Sequence, residues 1–138
     1  MNERRPTATT SELRRPLVVV ADDDFDIRAI VKRVLEQRGY GVVAVENGEQ
    51  AWEAIQQLHP DIALLDGLMP KADGRVVARR VKDDRSLTTK CVLLTSLYTS
   101  VAQKSEAFRL FGIDAHLSKP VSPELLDETL KRLLSECA

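Results

Sequence analysis

Five short apolar runs recur along the chain, each followed by a stretch with helical spacing. This alternation constrains the fold more than any other feature. The runs are Leu17 to Ala21, Val42 to Val45, Ile62 to Leu65, Val92 to Thr95 and the shorter Ala115 to Ser118. Within the longer ones apolar residues follow one another without a polar alternate, as in strands covered on both faces. Phe25 to Arg38 carries Ile27, Ile30, Val31, Val34 and Leu35 at helical spacing, and Gly39 and Gly41 stop it. Asn47-Gly48 makes a turn into Gly48 to Leu58, with Ala51, Ile55 and Leu58 on one face. Arg75 to Asp84 points Val76, Val77 and Val81 inward, and Val101 to Phe111 forms a fourth helix. Ser122 followed by Pro123 is an N-cap with proline at the first helical position. The fifth helix it opens has Leu125, Leu126, Leu130, Leu133 and Leu134 on its apolar face. Strand and helix thus alternate five times at a period of about 20 to 25 residues. That pattern predicts an α/β fold, a parallel sheet with helices on both faces and right-handed crossovers.

At 138 residues the chain is of one-domain size, and 43% hydrophobic against 30% charged residues suffices for a core. The formal net charge is −1 and no basic stripe is present, which argues against nucleic-acid binding driven by phosphate contacts. Cys91 opens an apolar run and reads as a small buried hydrophobe, and Cys137 is next to last. They form no disulfide framework or metal-spaced set. No apolar run reaches the roughly 18 to 20 residues of a membrane span, and the N-terminus lacks a signal-peptide core, so a cytoplasmic protein is expected. Met1 to Arg15 is polar and aperiodic and reads as a flexible tail, with residues 16–136 as the folded domain.

Function shows at the strand ends. Asp22, Asp23 and Asp24 close the first strand, Asp66 the third, Thr95 and Ser96 the fourth, and Ser118 with Lys119 the fifth. In a parallel sheet these ends share one edge, the edge where open α/β sheets bind ligands. Gly67, Pro70 and Gly74 break the chain directly after Asp66. Clustered carboxylates repel one another, and a hard cation resolves this. Mg²⁺ takes oxygen ligands, keeps several waters and commonly shares a phosphate. Lys119 adds a second positive charge. Other polar residues have plainer readings: Asp24 as a helix cap or solvated loop residue, Asp73-Gly74 as a turn, Trp52 as packing, and His59 as a surface residue ending a helix.

The chain resembles the receiver domain of bacterial response regulators, the phosphoacceptor half of two-component signalling. The resemblance rests on Val20-Ala21-Asp22-Asp23-Asp24 with Asp26-Ile27-Arg28, on Asn47-Gly48-Glu49-Gln50-Ala51, and on Leu65-Asp66-Gly67-Leu68-Met69-Pro70 with Asp73-Gly74. Leu94-Thr95-Ser96 and the run from Gly112 to Pro120 complete it. These motifs come in the family's order from about Pro16 to Ser135. The resemblance implies a flavodoxin-like, doubly wound five-stranded sheet of order 2-1-3-4-5 with five helices. It implies that Asp66 accepts a phosphoryl group from a histidine kinase or phosphotransfer protein. It further implies that Asp23, Asp66 and the Leu68 carbonyl hold Mg²⁺ directly and Asp22 through water, and that Thr95 and Lys119 each contact a phosphoryl oxygen. A cis Lys119–Pro120 bond and an output surface made of the fourth helix, fifth strand and fifth helix also follow from it.

Several positions depart from the family's pattern. His116 stands where Tyr or Phe is usual, Val121 replaces Phe, Phe25 replaces Pro, and the segment from Thr95 to Gly112 is about two residues long. Gly67 replaces a larger residue, which predicts a looser turn. Leu68 and Leu97, at two positions bearing on phosphoryl lifetime in the family, cannot orient an attacking water, so slow hydrolysis is expected. The expected function is a phosphoacceptor and not an enzyme, with no direct nucleic-acid or membrane partner. The alternative is a pseudo-receiver, a binding scaffold never phosphorylated. A Mg²⁺-dependent phosphatase would need a general acid where Leu68 stands.

Overall fold

In a computed structural model, residues 15–67, 69, 71, 73–95 and 110–136 are described. The strands are β1 (Leu17–Ala21), β2 (Gly41–Val45), β3 (Ile62–Asp66), β4 (Lys90–Thr95) and β5 (Ala115–Ser118). The helices of the described residues are α1 (Phe25–Gln37), α2 (Gly48–Leu58), α3 (Gly74–Asp83) and α4 (Pro123–Glu136). The helix expected from Val101 to Phe111 lies outside the described residues save for its last two, so α4 here is the fifth helix of the sequence reading.

All four strand pairings are parallel and the order is β2-β1-β3-β4-β5, the flavodoxin-like order. The chain leaves β1 for one edge at β2, then crosses to the other side for β3. Successive residues of each inner strand feed opposite faces, which produces two cores. Val18, Val20, Ile62 and Leu64 pack with Leu35 of α1 and Leu130 of α4. Val19, Ala21, Ala63 and Leu65 pack with Ile55 of α2 and Val77 of α3. This double coverage is the physical reason the strands lack polar alternation.

Local signals place the helix starts. Asp24 accepts from the backbone N–H groups of Asp26 and Ile27, Asn47 from Gln50, and Asp73 from Arg75 and Val76. Ser122 Oγ accepts from Leu125 N at 3.1 Å. Asp24 is therefore a cap, one of its two plainer readings, and Asp73, read as a turn residue, caps α3. His59 ends α2 in the left-handed conformation and is exposed, Trp52 packs against the second core, and Cys91 is buried. Four residues assigned to apolar faces lie elsewhere. Val76, Leu125 and Leu58 are exposed, and Ile30 is 61% exposed. On α3, Gly74 and Ala78 take the inward places with Val77 and Val81. Each displaced residue sits at the flank of its apolar stripe, where spacing alone does not separate contact from overhang.

One polar cluster ties the α1–β2 turn to α4. Asp127 is buried and accepts from Tyr40 Oη at 3.0 Å and Arg38 Nη1 at 3.1 Å, with Lys131 Nζ also at 3.1 Å. Burial pushes its carboxyl up, but the hydrogen bonds from Lys131, Tyr40 and Arg38 outweigh this and hold it below the ordinary 3.8. Burial, then Asp127, pushes the Tyr40 phenol up. A carboxyl depressed by folding contributes stability that is present above its unfolded value and lost as the pH falls through its folded value. Asp127→Asn is expected to narrow its stability deficit against the parent as the pH drops from about 5 to about 2. Urea unfolding at both pH values measures this, and a constant deficit contradicts it.

Candidate functional site

The site lies where the chain changes direction across the sheet, between β1 and β3, the place where open α/β sheets bind ligands. Ala21 pairs in register with Leu65, so Asp22 and Asp66 leave the sheet side by side. Asp66 pairs with Leu94, and Thr95 pairs with Ser118, so Lys119 emerges on the same edge. Carboxylate oxygens of Asp22, Asp23 and Asp66 come within 4.8 Å of one another. Asp22 is 2% exposed and Asp66 6%, whereas Asp23 faces solvent.

Lys119 bridges the two buried acids. Its Nζ donates to Asp22 Oδ2 at 3.1 Å and lies 3.2 Å from Asp66 Oδ1. Burial lowers the Lys119 pKa, but the hydrogen bond and charge of Asp22, then those of Asp66, raise it above the usual lysine value on balance. The ammonium therefore stays charged at neutral pH. The Lys119–Pro120 bond is cis, as expected. Three carboxylates and one ammonium carry a net charge of −2, which a divalent cation cancels. An all-oxygen set open to solvent on the Asp23 side fits a hard cation that keeps part of its water shell.

Asp22 is held at every polar atom. Its N–H donates to Val45 O at 3.2 Å, its Oδ1 accepts from Asp24 N at 2.9 Å, and its Oδ2 takes Lys119. Its carbonyl accepts from Arg28 Nη1 at 2.8 Å. Arg28 belongs to the motif that follows the first strand, and its role shows only in the fold. Helical side chains lean toward the N-terminus, so a long donor one turn into a helix that starts beside the acids can reach back to them. Phe25, 70% exposed, lies under that guanidinium, with the charge 5.4 Å from the ring centroid.

Beyond Asp66, Gly67 N donates to Leu94 O at 3.2 Å, which carries the β3–β4 ladder one residue further, while Leu68, Pro70 and Ala72 of the turn lie outside the described residues. Gly74 brings the start of α3 against the strand end: a Cβ there would lie 2.5 Å from the Asp66 carbonyl oxygen and 2.8 Å from Leu93 Cδ1. This close approach is the physical reason for Gly74, beyond the turn read from sequence. Thr95 is buried at the end of β4. Leu68, expected to offer a carbonyl to the metal, lies outside the described residues, as do Ser96, Leu97 and Tyr98. His116 is half-buried on β5 opposite Leu93, and Val121 packs against the first core.

The chain belongs to the response regulator receiver domain family, whose model matches residues 18–131. It is thus a receiver of two-component signalling. A probable transcriptional regulator, ycf27, of Cyanophora paradoxa is 33% identical over 123 residues, covering 89% of this chain and 50% of that protein. The chain spans about half the length of several curated relatives it matches. By contrast it covers 99% of the polar-differentiation response regulator DivK of Brucella ovis, at 26% identity over 90% of this chain. Among solved structures, the receiver domain of a Francisella response regulator superposes with a TM-score of 0.83 at 27% identity, covering 90% of this chain and 100% of that one.

A divalent cation that binds only the folded state raises stability by mass action. Mg²⁺ is expected to raise the melting temperature of the parent. Asp23→Asn, at an exposed position, is expected to weaken Mg²⁺ binding by more than the ~10-fold that loss of an outer-shell partner costs. Calorimetric titration measures the affinity, and an unchanged value contradicts the assignment.

Proposed function

We propose that this chain is a phosphoacceptor that takes a phosphoryl group from a phosphohistidine of a histidine kinase or phosphotransfer protein onto Asp66. The observation that carries this reading is the Lys119 bridge between Asp22 and Asp66, with Asp23 beside it, at the switch point of the sheet. The proposed role is cytoplasmic; the described residues include no helix long and apolar enough to cross a membrane.

In the proposed step a carboxylate oxygen of Asp66 attacks phosphorus while the bond from phosphorus to the imidazole nitrogen breaks. The electron pair returns to that nitrogen. Such transfers need alignment and charge neutralisation more than covalent machinery. Asp22, Asp23, Asp66 and the Leu68 carbonyl would hold Mg²⁺, which supplies positive charge against the phosphoryl oxygens. Lys119 exchanges its Asp66 contact for a phosphoryl oxygen, and the Thr95 hydroxyl donates to another. Asp22 stays fixed by Arg28 and Asp24. The signal then passes to a protein partner through the fourth helix of the sequence reading, β5 and α4.

The donor's approach has support on the surface. An apolar groove of about 500 Å³ runs between α1 and the segment after β5, and Ile27, Ile30, Val31, Pro120, Val121 and Lys119 are among its lining residues. The same Lys119 touches Asp66, so a helix bearing the phosphohistidine and seated in this groove sits next to the acceptor. Exposed Ile30 would find cover there.

Incubation with Mg²⁺ and acetyl phosphate is expected to add one phosphoryl group by mass, and Asp66→Asn to abolish the gain. The adduct is expected to decay slowly and without catalytic turnover. Absence of any gain favours the scaffold reading instead. Ile30→Ala is expected to slow transfer from a phosphorylated histidine phosphotransfer domain about tenfold, as loss of an interface anchor does. Its rate with acetyl phosphate should stay at the parent value, and an equal loss with both donors refutes docking in the groove.

A further inference from the structure

Asp23 is the one acid of the cluster that faces solvent, and the peptide units on either side of it are both held. The unit before it carries the Asp22 carbonyl, which accepts from Arg28 Nη1 at 2.8 Å. The unit after it carries the Asp24 N–H, which donates to Asp22 Oδ1 at 2.9 Å. Peptide units are planar, so a bond to one oxygen or one N–H restrains the whole unit. Restraining both units fixes the backbone torsions of Asp23 between them, and so the direction in which its open carboxylate departs.

Arg28 is itself well placed to hold. Its backbone N–H donates to Asp24 O at 3.0 Å, Phe25 lies under its guanidinium, and Glu46 Oε2 is 4.0 Å from Nη2. The side chain is only 15% exposed. A bond from a guanidinium is charge-assisted and short, stronger than one between neutral groups. Yet the charge of Arg28 has the wrong sign for a neighbour of a cation, which it repels.

We infer that Arg28 is a positioning residue for the divalent cation: its bond to the Asp22 carbonyl aims Asp23 toward Asp22 and Asp66, and this aim outweighs the repulsion of its charge. The inference rests on the phosphoacceptor reading, in which that cation is used, and deepens it.

Calorimetric titration of the full chain with Mg²⁺ tests it, on the parent and on Arg28→Met. Methionine keeps an apolar stem and removes both donor and charge. Loss of the charge favours a cation, and so does a Glu46 left without its partner. If charge governs, Arg28→Met binds Mg²⁺ more tightly than the parent. If aim governs, it binds at least about tenfold more weakly, the usual cost of losing a partner that orients a metal ligand. An unchanged or tighter affinity overturns the inference, as does a variant that loses stability in urea while its folded form binds as the parent does. With acetyl phosphate as donor, half-maximal phosphorylation of Arg28→Met should need at least about tenfold more Mg²⁺, and an unshifted requirement overturns the inference too. A parent that binds Mg²⁺ but takes no phosphoryl group sinks the phosphoacceptor reading and leaves the titration to decide this one. A parent that binds no Mg²⁺ overturns the positioning role. Should Arg28→Met not fold, Arg28→Gln takes its place with the same outcomes, since its amide ends two bonds short of the guanidinium nitrogen.

Discussion

Crowded negative charge at one edge of the sheet is the constraint on which the rest of the molecule depends. Two of the three carboxylates are almost wholly buried, and like charges so close repel strongly where water is scarce. Lys119 offsets part of this repulsion through a bridge to both buried acids. The remaining two negative charges make the pocket receptive to a divalent cation. In the proposed transfer, an anionic phosphoryl group would meet these charges, and a cation bound beforehand would ease its entry.

Holding such a cluster demands a rigid frame, and parallel strands supply one. Their carboxyl ends converge without turns of their own, so each acid is aimed by a ladder buried on both faces. Asp22 has a partner for its N–H, its carbonyl and both carboxylate oxygens, which leaves little freedom to relax away from its neighbours. Asp23 is the exception, exposed and free of that clamp, and it is the side from which an ion carrying water can enter. Rigidity and access are divided between adjacent residues of one chain segment.

Most of this was legible in the sequence. Strands buried on both faces announce themselves by unbroken apolar runs, and chain order alone places their ends on one edge, so Asp22, Asp23, Asp66 and Lys119 could be grouped before any coordinates. The caps Asp24 and Ser122 were equally readable, because capping is local chemistry, whereas Asn47 and Asp73 read as turn residues and prove to be caps as well. What escaped has a common physical character. Ile30, Val76 and Leu125 belong to apolar stripes by spacing but overhang them, because the width of a buried stripe depends on the neighbour that covers it. Arg28 bonds a backbone carbonyl, and every residue has one, so no side-chain partner flags the contact. Gly67 reads as looseness when only its own backbone is considered. Its meaning depends on Thr95, distant in sequence and adjacent only through the β3–β4 register.

That last pair shows a different kind of constraint at the same edge. The acids and the lysine are fixed by hydrogen bonds and charge, interactions that tolerate small displacements. Gly67 and Thr95 meet by exclusion, since a Cβ at position 67 would lie less than 3 Å from Thr95 Oγ1 and Cβ. Steric contacts are steeper with distance than electrostatic ones, so such a contact must be relieved by movement of one strand end or the other. The close fit of the ends of β3 and β4 and the charge balance of the acids therefore rest on different physical terms.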